Sequence, residues 1–240
     1  MTIDARPSLL STWRTAGFQG PRTIDADAVA ARTDASGGLV VALADGVGDH
    51  AGAARAARLA VHAAVAVPAA EGPVAAMLAA RAAVCADPDA ADCVLVVAQP
   101  FGLGYRLAWV GDVRAYAWDG RVLLPLTTDH TLAQYFRDRG SVPSPSMEHQ
   151  VLTSVRTAAP AELGLASLAI PARLLLTSDG VHKTLTHEAM TDIVRHAMDP
   201  AAALVAAARE AGTRDNTTAA VVDNVFLPPT TPQPALPAAA

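Results

Sequence analysis

Aspartates stand at the ends of apolar, strand-like runs at four places in this sequence. Asp45 follows LVVALA, Asp112 follows RLAWVG and Asp179 follows RLLLTS, and a fourth, Asp215, shortly precedes TTAAVVD. Taken singly, an aspartate in such a place is a common turn residue. Taken together, four carboxylates at strand ends offer the oxygen ligands that hard cations such as Mg²⁺ and Mn²⁺ prefer. The set therefore indicates metal chemistry on a phosphate.

The segments that carry these aspartates are ADGVGDHAG, WVGDVRAYAWDGRVLLPLTTDHTLAQ, LLLTSDGVHKTLTHE and RDNTTAAVVD. In their order and spacing they resemble the motifs of the metal-dependent protein phosphatases of the type 2C family, especially the compact bacterial serine/threonine members. The resemblance extends from about Gly17 to Asp223, which is nearly the whole chain.

The resemblance implies a ligand set for two metal ions. Asp45 would bridge the ions and Gly46 would offer its backbone carbonyl to one of them, while Asp179 and Asp215 would complete the shell of the first. A carboxylate has two oxygens and can span two cations, and glycine has no Cβ to hold the backbone away. Ligands of oxygen alone suit Mn²⁺ or Mg²⁺ rather than zinc. Two such ions lower the pKa of a shared water, so that a bridging hydroxide can attack phosphorus.

The segment RTIDAD supplies further candidates. Arg22 matches the family's phosphate-binding arginine, whose planar guanidinium can donate two parallel hydrogen bonds to phosphoryl oxygens. Asp27 matches the second acid of a pair that holds metal-bound water, whereas Ala26 replaces the first acid. Because outer ligands of this kind strengthen metal binding, we expect an unusually high metal requirement, which Ala26→Glu would lower.

Asp112 matches the aspartate that, together with Asp179, binds a third metal ion in bacterial relatives; a plain turn carboxylate is the equal alternative. His50 could serve as a general acid because histidine titrates near neutral pH. It stands at the predicted start of a helix, which favours a structural role. Val47 occupies the position that carries an acid histidine in eukaryotic members, so we expect metal-bound water to protonate the leaving group.

Composition excludes several classes of partner. The 240 residues carry a formal charge of −5 without a cluster of lysine and arginine, which argues against nucleic acid. No apolar stretch reaches the roughly 18 to 20 residues of a membrane span, and the first residues lack the pattern of a secretory signal. The spacing of Cys85 and Cys93 does not match that of a metal site, so we expect both to be reduced thiols. We expect a cytoplasmic monomer that contacts neither membrane nor nucleic acid.

Apolar periodicity predicts the elements that would position these residues. The predicted strands are 12–18, 23–31, 39–44, 93–99, 105–111, 114–118, 121–126, 151–155, 165–170, 172–178 and 217–226. The predicted helices are 51–66, 74–87, 131–139, 187–198 and 200–211. The four strands between 93 and 126 predict an antiparallel meander, and the Pro/Ser-rich segment 141–150 predicts a mobile surface loop.

Strand clusters that alternate with helix pairs predict an α+β fold. The resemblance implies, more specifically, a four-layer αββα sandwich of two antiparallel sheets flanked by helices. We expect one phosphatase-like domain over residues 1–227 and a disordered Pro/Ala-rich tail over residues 228–240.

The resemblance implies a protein phosphatase that hydrolyses phosphoserine and phosphothreonine, with a phosphoprotein made by a serine/threonine kinase as its substrate. The alternative is a pseudophosphatase that binds a phosphoprotein with little catalysis. The spacing of Gly46, Gly48 and Gly52 also loosely resembles a dinucleotide-binding loop. Such a loop needs a parallel strand after one helix, whereas two helices are predicted here, so this class is disfavoured.

Overall fold

The computed structural model describes residues 8–35 and 37–227, and the predicted disordered tail at 228–240 lies outside the described residues. The strands are β1 Ser8–Phe18, β2 Asp27–Thr33, β3 Leu39–Gly46, β4 Cys93–Phe101, β5 Gly104–Val110, β6 Arg114–Trp118, β7 Leu123–Pro125, β8 Gly164–Leu168, β9 Arg173–Thr177 and β10 Thr217–Leu227. The helices are α1 Ala51–Ala66, α2 Pro73–Ala86, α3 Leu132–Arg137, α4 Asp179–His182, α5 His187–His196 and α6 Pro200–Glu210.

The strands form two antiparallel sheets of five strands each. The first sheet has the order β2-β3-β4-β5-β8 and the second has the order β1-β10-β9-β6-β7. The predicted α+β fold with two antiparallel sheets is therefore confirmed. Among the described residues, no helix is long and apolar enough to cross a membrane.

The β3 strand shows how the sequence produces the layers. Val41 and Leu43 pack between the sheets with Leu174 and Leu176 of β9. The alternate residues of β3, represented by Ala42, pack on the opposite face among residues of α1 and α2. Side chains alternate along a strand, and both faces of β3 are covered. The sequence of β3 is therefore one continuous apolar run. Helices α5 and α6 cover the outer face of the second sheet, which completes the four layers.

Two predictions about the strands are wrong. The expected meander is divided, because β4 and β5 pair in the first sheet whereas β6 and β7 pair in the second. Gly111 makes the crossing between them with φ of 82°, and a Cβ at this position would lie 2.0 Å from Val94 Cγ1. Only glycine therefore fits this turn, which carries the next residue, Asp112, to the edge of the sandwich.

The predicted strand at 151–155 is also absent. Val151 makes an isolated bridge with Thr131, and the backbone that follows is held by other bonds. Ser154 donates its hydroxyl hydrogen to Asp92 Oδ2 at 2.6 Å, and the Arg156 amide donates to Asp92 Oδ1 at 3.1 Å. Side-chain hydrogen bonds of this kind satisfy the backbone without a sheet.

Candidate metal centre

The four strand-end aspartates meet at one edge of the sandwich. Asp45 is the second-last residue of β3 in the first sheet, while Asp179 follows β9 and Asp215 precedes β10 in the second sheet. The crossing turn after β5 adds Asp112. Together they face a cleft of about 150 Å³. The residues that line it are Arg22, Asp45, Gly46, Val47, Gly48, Val94, Asp112, His149, Val151, Asp179, Asp215 and Asn216.

Asp27 approaches the same group of carboxylates from β2, where it lies opposite Asp45 in the strand register. Burial raises the pKa of Asp27 to about 7, with a further contribution from the negative charge of Asp179. Burial also raises the pKa of Asp45, and the charges of Asp27 and Asp179 add to this effect. The carboxylates therefore repel one another in a setting that water screens poorly.

This donor set fits divalent cations. Asp27 Oδ1 and Asp179 Oδ1 are buried and have no hydrogen-bond partner. Burial raises the pKa of Asp215, to which the negative charge of Asp179 contributes. A buried carboxylate oxygen without a partner is costly unless a cation or water satisfies it.

Within the part of the chain that the structure describes, no group of three His, Cys, Asp or Glu side chains is arranged to hold a metal ion by itself. Mg²⁺ typically keeps several waters and takes only one or two carboxylates from the protein. Water would therefore have to complete each shell, and the Gly46 carbonyl would contribute to one of them. Gly46 is also needed for packing, because a Cβ there would lie 2.5 Å from the carbonyl oxygen of Ala53 in α1.

Arg22 reaches the cleft from the turn before β2 and donates from Nη2 to Asp215 Oδ2 at 2.6 Å. Two side chains hold this turn in place. Asp49 accepts hydrogen bonds from the amides of Thr23 and Ile24, each at 3.0 Å. Asp49 itself follows the strand that ends at Gly46, so the two loops that border the cleft are joined through its carboxylate.

Asn216 is the second support of this turn. Its Nδ2 donates to the carbonyls of Gln19 at 2.7 Å and Ile24 at 3.0 Å, and its Oδ1 accepts from the Ala26 amide at 2.9 Å. The two carbonyls and the amide bonded in this way all belong to the segment that carries Arg22. The buried Asn216 therefore fixes that segment to the start of β10.

Lys183 follows α4 and occupies the space between two of the aspartates. Its Nζ donates to Asp112 Oδ2 at 2.5 Å, to Asp179 Oδ2 at 3.0 Å and to the Glu148 carbonyl at 2.9 Å. Although burial lowers the pKa of Lys183, the charges of Asp179 and Asp112 outweigh it and hold the pKa above its usual value. The cleft thus contains a protein cation as well as carboxylates.

Several solved structures with a similar arrangement of elements are phosphatases. The PPM Ser-Thr phosphatase MsPP from Mycobacterium smegmatis, in complex with cacodylate, is 27% identical with a TM-score of 0.73 and covers 88% of this chain and 97% of its own. The catalytic domain of PstP, in complex with two manganese ions, is 26% identical with a TM-score of 0.71 and covers 90% and 99%. The S. agalactiae serine/threonine phosphatase has a TM-score of 0.79 and covers 89% of this chain and 99% of its own, but its 19% identity supports the fold alone. Neither a protein-family model nor a curated protein matches the chain.

The chain has the structure of a bacterial PPM-type serine/threonine phosphatase. The resemblance to the type 2C family and the four-layer sandwich, both predicted from the sequence, are confirmed.

The side chain of Ala26 does not lie where an acid that holds metal-bound water would have to lie. The Ala26 side chain is buried against Ala53 and Ala54 of α1, together with Ile24. Asp27, the next residue, faces the carboxylates instead. Neighbours along an extended chain point to opposite sides, so an acid at position 26 would enter the apolar contact with α1.

Two other residues near the cleft, His50 and Val47, have roles that fit their positions. His50 caps α1, because its Nδ1 accepts a hydrogen bond from the Ala53 amide at 3.3 Å. This agrees with the structural role expected for it. Val47 is exposed at the rim of the cleft and supplies no group that could carry a proton.

Sequence reasoning missed Asp49, Asn216 and Lys183. Asn216 lies in the predicted Asp-Asn motif, but only the fold shows that it bonds to a segment almost 200 residues earlier. Lys183 stood out in the sequence because it is the only lysine in the chain. Without the fold, a single lysine gave no indication of its partners.

Proposed function

We propose that this protein is a metal-dependent phosphatase that hydrolyses phosphoserine and phosphothreonine in proteins. The observation that carries the proposal is the convergence of Asp45, Asp179, Asp215 and Arg22 on one cleft from two different sheets. Phosphatases of known structure with the same fold support it, and one of them contains two manganese ions.

In this proposal Asp45, the Gly46 carbonyl, Asp179 and Asp215 hold two Mn²⁺ or Mg²⁺ ions, and Asp27 accepts hydrogen bonds from water in the outer shell. When bound, the two ions would lower the pKa of a water molecule between them and offset negative charge on the phosphate. The buried oxygens of Asp27 and Asp179 that lack partners are the chain's own support for this arrangement.

Arg22 would hold the phosphoryl group. A guanidinium has five N–H donors in a planar fork, so it can keep its bond to Asp215 and still donate to phosphoryl oxygens. Asp49 and Asn216 would position the Arg22 guanidinium relative to the phosphate by fixing the turn that carries Arg22. The ion pair with Asp215 would also keep the arginine beside the metal ligands.

A cleft of about 150 Å³ accommodates a phosphoryl group and its ions but not a folded substrate. The protein substrate would therefore lie across the rim, where Val47 and Gly48 are exposed. We propose a phosphoprotein made by a serine/threonine kinase as the substrate and a monomer in the cytoplasm as the working form. A binding module without catalysis is not favoured, because the structural neighbours are phosphatases.

The test is hydrolysis of an aryl phosphate and of matched phosphoserine and phosphothreonine peptides by metal-stripped protein, before and after addition of Mn²⁺ or Mg²⁺. We expect no turnover in chelator and recovery with metal. Asp179→Asn should reduce turnover by orders of magnitude, whereas Asp192→Asn on the exposed face of α5 should not. Equal turnover in chelator and in Mn²⁺ would contradict the proposal.

A further inference from the structure

The ammonium group of Lys183 has the surroundings of a bound cation. Its three contacts are two carboxylate oxygens, from Asp112 and Asp179, and one backbone carbonyl oxygen, from Glu148. An ammonium has three N–H donors, so these acceptors match its capacity. The side chain is 16% exposed, and those of Asp112 and Asp179 are 6% and 12% exposed.

We propose that Lys183 takes the place of a third metal ion, so that this protein binds two ions and uses Asp112 as the partner of a lysine rather than as a metal ligand. The inference rests on the proposed two-ion function. It would replace the expectation that Asp112 and Asp179 hold a third ion together.

The contacts show why the two cations exclude each other. A divalent ion between Asp112 and Asp179 would compete for the space in which Nζ lies, 2.5 Å from Asp112 Oδ2 and 3.0 Å from Asp179 Oδ2. It would also stand within a few ångströms of a positive charge in a site that is largely shielded from water, where repulsion is strong. Lys183 would have to leave, and its ammonium would lose all three acceptors.

The position of Lys183 in the chain makes this cation permanent. The residue follows α4 directly and lies four residues after Asp179, so the helical turn carries its side chain back toward that carboxylate. Its third contact, the Glu148 carbonyl, belongs to the 141–150 loop, which also brings His149 to the cleft. Lys183 would hold this loop against the site without depending on the metal concentration.

Counting bound Mn²⁺ by equilibrium dialysis tests the proposal. We expect two ions per chain in the wild type and in Lys183→Arg, which keeps a cation in place. Lys183→Met should bind a third ion, and Asp112→Asn added to Lys183→Met should abolish that ion. No additional ion in a folded Lys183→Met protein would overturn the proposal, and so would a third ion in the wild type that Asp112→Asn removes.

A second measurement uses the wild type alone and needs no variant to fold. Because the chain has one lysine, labelling with ¹⁵N-lysine gives a single side-chain ammonium signal. We expect this signal to be protected from exchange and to stay so while diamagnetic Mg²⁺ saturates the protein. Loss of protection as Mg²⁺ binds would show that the metal displaces Lys183.

Failure of the proposed function is a separate result. If the wild type binds no metal at all, the two-ion phosphatase proposal fails. The Lys183 inference is then decided by Lys183→Met: an ion that depends on Asp112 supports it, and the absence of one overturns it.

Discussion

Asp27 of β2 and Asp45 of β3 lie directly opposite each other in an antiparallel register. Like charges in this relationship destabilise a sheet, and burial of both carboxyl groups increases the cost. An uncharged pair would pack here without this penalty. The arrangement is therefore a place where the fold gives up stability for the proposed cation site, and it can be tested by stability as well as by activity.

The first prediction concerns pH. Because the pKa of Asp27 is raised from 3.8 to about 7 in the folded protein, the folded state holds this proton more tightly than the unfolded chain does. Its contribution to stability is complete below pH 3.8 and is lost as the pH rises through about 7. The free energy of unfolding of metal-free protein should therefore fall by roughly 2 to 4 kcal/mol from pH 4 to pH 8 through this group.

Urea unfolding at several pH values measures this effect, and Asp27→Asn isolates it. The variant should lose most of this slope, while Asp192→Asn on the exposed face of α5 should keep it. Parallel curves for wild type and Asp27→Asn would show that Asp27 ionises normally in the fold.

The second prediction is a reversal of stability at Asp45. Asp45→Asn removes one of the opposing charges, so the metal-free variant should be more stable than wild type, by roughly 1 kcal/mol or more at pH 8. With Mn²⁺ present the order should reverse, because an ion at the proposed site would stabilise wild type and the variant would lack one of its proposed ligands. Thermal unfolding in chelator and in Mn²⁺ checks both halves. A variant less stable than wild type in chelator would refute the repulsion argument.

Sequence patterns predicted those parts of the site whose signal is local. Asp45, Asp179 and Asp215 each adjoin an apolar run that becomes a strand, so their convergence could be expected once two sheets were assumed. The supports of Arg22 could not be found in this way. Asn216 binds Gln19 across 197 positions, and no periodicity in the sequence records such a contact.

The resemblance to the family also could not predict the direction in which the side chain of Ala26 points. Position 26 was matched to an acid by its place in a motif, whereas strand alternation assigns its side chain to the α1 face.

The predicted strand at 151–155 is absent because of contacts that are distant in the sequence. Its residues are apolar enough for a strand, but the carboxylate of Asp92 takes the Ser154 hydroxyl and the Arg156 amide.

The third prediction concerns Arg22. Loss of its hydrogen bonds to a charged phosphoryl group in Arg22→Ala should lower kcat/KM by roughly 10- to 100-fold, with a higher KM. Arg14→Ala is the matched control, because Arg14 also pairs with an aspartate, Asp223 of β10, but lies on the sheet surface. Equal kinetics of the two variants on a small phosphoester would assign Arg22 to structure alone.

The fourth prediction separates positioning from binding. Asp49→Ala removes the acceptor of the Thr23 and Ile24 amides, so the turn that carries Arg22 should loosen. We expect Asp49→Ala to raise KM severalfold when it is introduced into the wild type. The same substitution should change KM little further when Arg22 is already alanine. A double-mutant cycle measures this coupling. Effects that simply add would show that Asp49 acts independently of Arg22.

The fifth prediction replaces the earlier expectation for Ala26. Ala26 is 1% exposed and packs on Ala53 and Ala54, so Ala26→Glu would force a large acid into an apolar contact. Overpacking and burial of the carboxyl should lower the free energy of unfolding by at least about 2 kcal/mol. The metal concentration for half-maximal activity should not fall.

Two controls separate the causes at this position. Ala26→Ser adds a hydroxyl with little volume and should cost much less, whereas Ala26→Leu adds volume without charge and should cost part of the penalty. Urea unfolding and a Mn²⁺ titration of activity are measured on all three variants. If Ala26→Glu is as stable as wild type and needs less metal, its side chain must reach the carboxylates after all. The backbone of Ala26, held by Asn216 and by the Gly46 amide, would then have to rotate away from α1.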